Sequence, residues 1–165
     1  MWIGIALVLS LLCRRWGVLA LTIVAVALAD LSASALKGLI DRPRPPLRYP
    51  DQHPLVQVPD SGSFPSGHAA TSFAGATILA FAFPRGAPMF YLLATAVGFS
   101  RVYLGVHYPL DVLGGAVLGT LIALALRSLV RRWQRELREG ANTQGRDRPT
   151  LVHIEGRSLT GAKQR

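Results

Sequence analysis

Cysteine is almost absent from this chain: Cys13 is the only one, so no intrachain disulfide can form. It sits in an apolar run with nothing nearby to depress its pKa, which predicts a buried structural thiol rather than a nucleophile. Charge is scarce as well, at 16% of residues, and aromatics make up only 8%. Half of the 165 residues are hydrophobic, an apolar balance for one soluble domain and an ordinary one for a small polytopic membrane protein. Acidic residues are the rarer charged class, nine against eighteen Lys and Arg, which gives a formal net charge of +9. Such a surplus can signal nucleic acid or anionic lipid as a partner. Here the positive residues crowd the last third, from Arg127 through Arg138, and the loops between apolar runs. No basic surface interleaved with aromatics, of the kind that binds single strands, is present, so the charge reads as membrane topology and not as nucleic-acid binding. The N-terminus has no basic stretch ahead of its apolar run and no clear small-residue cleavage site, so it does not read as a secretory signal.

What is there is a series of five apolar segments: Met1–Leu12, Trp16–Leu36, His68–Phe83, Pro88–Phe99 (extending toward Leu104) and Pro109–Val130. The second and fifth are long enough to cross a hydrocarbon core of about 30 Å. Small residues in the third and fifth (Ala74, Gly75, Ala76; Gly114, Gly115, Gly119) suit close helix packing in lipid. The segments lack the polar face that a surface helix of a soluble bundle needs. The expected fold is therefore all-α, a polytopic transmembrane bundle of about five helices, or six if the first, short segment marks a chain that begins further upstream. Between the second and third segments, Asp41 to Pro65 holds most of the prolines, which predicts an extended connection without helix. Residues 1–139 read as one membrane domain and 140–165 as a polar, disordered cytoplasmic tail. Nothing in the pattern specifies an oligomer.

Charge orients the helices. Arg14 and Arg15, Arg85, and the basic run after the fifth helix fall on one side if the helices alternate, and the positive-inside rule makes that side cytoplasmic. The Pro-rich loop and the turn into the fifth helix then face outward, toward the periplasm or cell exterior. Arg42, Arg44, Arg48 and Arg101 break the bias on that face, as expected if an anionic substrate holds several of them.

Three clusters carry the chemistry on this outer face. The first is Lys37 with Arg42, Arg44 and Pro45; the second is Pro65-Ser66-Gly67-His68; the third is Ser100-Arg101, His107 and Asp111. Singly, each has a plain reading: Lys37 as an interface lysine, Arg42 and Arg44 as loop charges, Ser66 as a helix cap, Asp111 as a first-turn acid. Together they make an oxyanion site. Lys37, Arg44 and Arg101 supply positive charge, with guanidinium forks suited to phosphate. The amides of Ser66, Gly67 and His68 point at the same anion from a helix N-terminus, and Gly67 lets the backbone approach. One histidine must attack phosphorus as neutral imidazole while the other protonates the leaving oxygen. His107 and Asp111, four apart across a helix start, suit the nucleophile and the carboxylate that fixes its tautomer. His68, with no carboxylate near it in sequence, is left as the acid. The carboxylates are too few and scattered to read as a metal site, and no cofactor is implied.

These residues resemble the signature of the type 2 phosphatidic acid phosphatase family. Its first motif, Lys, six residues, Arg-Pro, is matched by Lys37 and Arg44-Pro45; its second, Pro-Ser-Gly-His, by Pro65 to His68; its third by Ser100-Arg101, His107 and Asp111. The resemblance implies a metal-independent membrane phosphatase with His107 as nucleophile, Asp111 as its partner and His68 as acid. Lys37, Arg44, Ser66, Gly67 and Arg101 would hold the phosphate. Membrane members typically place the first motif after a third helix, whereas two precede it here. The expected substrate is a lipid phosphate, first a polyprenyl diphosphate of cell-wall synthesis. Phosphatidic acid, phosphatidylglycerol phosphate and a prenyl-linked sugar phosphate are the alternatives. A soluble acid phosphatase or vanadium haloperoxidase relative would share the motifs without spanning helices. A membrane scaffold with a dead site would be expected to have lost a histidine or the aspartate, and none is lost.

Overall fold

A computed structural model describes residues 1–49, 51 and 54–146, with side chains as far as 139. Every regular element among them is helical: α1 (Trp2–Cys13), α2 (Trp16–Ile40), α3 (Pro45–Arg48), α4 (Gly67–Ala82), α5 (Ala87–Tyr103) and α6 (Pro109–Arg146), with one 3₁₀ turn at Pro84–Gly86. All five apolar segments of the sequence are helices. The disordered tail is expected from residue 140, but α6 continues as helix to Arg146; the polar end beyond lies outside the described residues. The chain forms two compact units, Met1–Val130 and Arg131 onward, the second represented by the C-terminal part of α6.

The boundaries follow from local chemistry. α2 stops at Asp41, which takes a left-handed conformation (φ 41°) and closes its amide onto the Lys37 carbonyl before Pro43 and Pro45 forbid further turns. The Pro-rich loop is not free of helix as expected: Pro45 and Pro46 open the single turn α3, because proline is tolerated where a first-turn N–H has no intrahelical acceptor. α4 begins at Ser66, whose hydroxyl accepts the Ala69 amide. At its other end the Arg15 guanidinium donates to the Ala82 carbonyl at 2.9 Å, a cation at the negative end of the helix dipole.

α4 is the central helix, buried through most of its length. On one side Ala25, Ala29 and Ala33 of α2 pack with Ala70, Ala74 and Ile78 of α4 and Ala123 of α6. On the other, Trp2 and Ala6 of α1 and Ala94 of α5 pack against Ala76 and Leu79. These are small-residue interfaces, the kind that lets helices approach closely in lipid. The approach is closest where α6 meets α4. A Cβ on Gly115 would strike the Ser66 carbonyl oxygen, and one on Gly119 the Ala70 carbonyl oxygen.

α2 and α6 are long and apolar enough to cross a membrane, and both keep most of their apolar residues unburied within the chain. α2, with 25 residues, is about 37 Å long at 1.5 Å per residue; α4 and α5 are shorter than the bilayer core. Cys13 is exposed and not buried as its apolar run suggested. The stripe of α1 that packs inward (Trp2, Ala6, Ser10) ends a turn before it.

Candidate active site

Three stretches of chain meet at one end of the bundle: the last turn of α2 with the loop into α3, the N-terminus of α4, and the turn from α5 into α6. Backbone bonds hold them together. The Ser63 amide donates to the Arg42 carbonyl at 2.8 Å, and the Ser66 amide to the Asp111 carbonyl at 2.9 Å. The second bond revises one expectation: the Ser66 amide is committed to α6 and cannot point at an anion. The amides of Gly67 and His68 remain as first-turn donors without intrahelical acceptors.

Asp111 is fully buried and stands third in α6, where its Oδ2 accepts the Tyr108 amide at 2.9 Å, half of a capping box. Its Oδ1 accepts Arg42 Nη1 at 2.8 Å, and the same guanidinium lies 4.2 Å from the centre of the Tyr108 ring. Arg42 is therefore bound by protein groups instead of awaiting a substrate. His107, 5% exposed, presents Nδ1 to Asp111 Oδ2 at 3.4 Å, a close polar contact without hydrogen-bond alignment.

The other ring nitrogen settles the tautomer. Arg44 Nη1 lies 3.3 Å from His107 Nε2, and arginine can only donate, so Nε2 accepts and the proton of the neutral ring sits on Nδ1, facing Asp111. Burial first, and then the Arg44 charge, push the His107 pKa down from 6.5 to about 4; the Asp111 carboxylate opposes them and Lys37 adds a smaller downward push. The ring is neutral at physiological pH. Arg44 is itself buried, with Nε on the Ser61 carbonyl at 2.9 Å and Nη1 on the Val106 carbonyl at 3.0 Å. Its fork thus ties the Ser61–Gly62 stretch, through Nε and Nη2, to the loop that carries His107, through Nη1.

Lys37 Nζ and Asp30 Oδ1 each lie 3.9 Å from the point a Cβ on Gly67 would occupy, so both side chains of α2 reach the start of α4. Arg101, in the last turn of α5, rests its Nε on Ser100 Oγ at 3.1 Å, and its charge acts on His68 together with those of Lys37 and Arg44. His68 is exposed at the head of an apolar cleft of about 600 Å³ walled by Trp2, Ile3, Ile23, Val26 and Val97. Lys37, Arg44, Ser66, Gly67, His68, Arg101, His107 and Asp111 are thus brought to one place. Sequence reasoning passed over Arg42 as a partner of Asp111 and did not single out Asp30. The signal for Asp30 was available: a carboxylate inside an otherwise apolar helix. Among the described residues no group of three or more His, Cys, Asp or Glu side chains could hold a metal ion.

The sequence profile of the PAP2 superfamily matches residues 18–135, and the chain belongs to that superfamily. Over 79% of its length it is 30% identical to a transmembrane PAP2-type phosphatidylglycerolphosphate phosphatase from Bacillus subtilis, with a TM-score of 0.59 and 67% of that chain covered. It overlays on the crystal structure of LpxE from Aquifex aeolicus with a TM-score of 0.68, at 30% identity over 77% of each chain. It is 34% identical over 122 residues to the undecaprenyl-diphosphatase of Sulfolobus acidocaldarius, covering 73% of this chain and 52% of that protein. The chain spans about half the length of the curated relatives it matches.

Proposed function

We propose that this chain carries the catalytic site of a metal-independent lipid phosphatase that works through a phosphohistidine on His107. The observation that supports it most is a buried imidazole, neutral at physiological pH, whose proton is kept on the Asp111 side and whose other lone pair meets Arg44. An arriving phosphate competes for that arginine N–H and leaves Nε2 facing phosphorus. Lys37, Arg101 and the Gly67 and His68 amides balance the anion's charge. The N–P bond forms as the P–O bond to the lipid breaks; the electron pair leaves on oxygen, which takes its proton from His68. Water then attacks phosphorus and gives its proton to the neutral His68, while the N–P electron pair returns to His107.

The cleft below His68 argues for a lipid, because a leaving group at that histidine continues directly into apolar walls. Our first substrate is a polyprenyl diphosphate, on the likeness to an undecaprenyl-diphosphatase. Phosphatidylglycerol phosphate is the second, on the likeness to the Bacillus subtilis protein. A phosphate-release panel over these two lipids, phosphatidic acid and a prenyl-linked sugar phosphate decides between them. Turnover should survive EDTA, stop with vanadate, and vanish in His107→Ala together with any acid-labile phosphoprotein. Loss in EDTA restored by magnesium would overturn the mechanism.

The site is proposed to face the cell exterior, from the placement of Arg14, Arg15, Arg85 and the basic run after Arg127 on the opposite side. On a Cys13→Ser background, a cysteine at Gln57 should label with an impermeant thiol reagent in intact cells, and one at Gln134 only after lysis. The reverse pattern puts the site in the cytoplasm and removes the case for carrier recycling.

A further inference from the structure

Asp30 is the acidic residue of α2, set among apolar and small residues on a helix long enough to cross a membrane. An ionised carboxylate in that setting is expensive unless something answers it, and its surroundings usually mark a functional place. It stands seven positions before Lys37, so the two share one face of α2, about 10 Å apart along the axis. That face looks onto the start of α4. Asp30 Oδ1 stands 3.9 Å from the Cβ position of Gly67, the residue before His68. Asp30, His68, Thr71 and Ser72 are the polar residues lining the cleft that opens under His68; its other walls are apolar. Four charges bear on His68: Lys37 and Asp30 from α2, Arg44 from the edge of α3, and Arg101 from α5. Three are positive, and Asp30 alone among these four favours a protonated imidazole.

We infer that Asp30 is a positioning residue for His68, holding the imidazolium and turning its proton toward the leaving oxygen, so that each histidine of the site works against its own carboxylate. This rests on the reading of His68 as general acid. In the first half-reaction the His68 proton passes to the oxygen that departs with the P–O electron pair; Asp30 takes up no proton, and the proton returns to His68 from water in the second half. The arrangement answers a difficulty of the site. Three cations gathered for a phosphate also repel the proton that its leaving group needs, and one carboxylate on the lipid side offsets them locally.

The test uses the full chain in detergent and two substrates that differ in leaving group: a long-chain alkyl monophosphate, whose alkoxide needs a proton, and p-nitrophenyl phosphate, whose phenolate needs little. Asp30→Asn should lower kcat/KM, which reports only the steps up to departure of the leaving group, by about tenfold or more on the alkyl phosphate and leave it within about twofold on the aryl phosphate. Added to His68→Ala, it should cost nothing further on either substrate. Asp30→Glu, which keeps the charge, should recover part of the loss and serves if the asparagine variant folds poorly. Equal loss of kcat/KM on both substrates would mean that Asp30 only balances the charge of the phosphate cradle, and the inference falls. If His68→Ala alone shows no dependence on leaving group, the acid assignment itself fails, in an arm where Asp30 is untouched.

Discussion

The two histidines of the site live in opposite conditions. His107 is 5% exposed, set between a fully buried aspartate and a buried arginine, and the loop that carries it is pinned by the same arginine. His68 stands exposed at the mouth of an apolar cleft, on the first turn of a helix, where its partial burial and then the charges of Arg101 and Lys37 act on it. The contrast fits the division of labour proposed for them. A nucleophile meets the same phosphorus in every turnover, so its geometry can be fixed in advance. An acid meets whatever lipid leaves, so it sits where the bundle opens toward the bilayer.

The firmest way to break that contrast is to loosen the His107 side. Arg42→Ala removes the donor to Asp111 Oδ1 and the cation over Tyr108, leaving a buried carboxylate one partner short. Asp111 should then turn from His107, and kcat should fall by about 10- to 100-fold on alkyl and aryl phosphates alike. Arg42→Lys keeps the charge without the planar fork and should restore only part of it. Steady-state kinetics on the two substrates check this, and a loss confined to the alkyl phosphate would tie Arg42 to His68 instead.

A smaller effect sharpens the comparison. His107 must be neutral to attack, so activity limited by its ionisation rises with pH through its pKa, about 4, and is flat above it. Arg44→Gln removes a positive charge that holds this pKa down, so the acidic limb of kcat/KM should move upward, toward but not reaching 6.5, because burial still depresses it. Around neutral pH this shift changes little; near pH 5 it should be plain as a loss beyond any pH-independent drop. A limb that stays in place would show that Arg44 does not set the ionisation of His107.

The fold was legible because its determinants are local. Five apolar segments, the proline after α2 and the Ser66 cap specify where helices run, and small residues specify how they pack. The pairing of His107 with Asp111 was legible because spacing within one turn brings the two together. What the sequence could not display were pairings set by how one helix end faces another. Arg42 reads as a loop charge until α6 brings Asp111 to it. The Ser66 amide reads as an anion donor until the Asp111 carbonyl is seen to hold it. Proline density likewise hid α3, since only backbone geometry distinguishes a forbidden interior position from a permitted first turn.

The bare seam between α4 and α6 has a consequence for how such a site can vary. Gly115 and Gly119 leave α6 resting on the Ser66 and Ala70 carbonyls of α4, and those two helices carry His68 and Asp111 side by side in their first turns. The spacing of His68 and Asp111 is thus gauged by contact between main chains, not by any side chain that drift could lengthen or shorten. Residues lining the cleft can change to suit another hydrocarbon while that gauge stays put. The architecture keeps the lining of the cleft apart from the spacing of the two side chains, so the first can be altered without resetting the second.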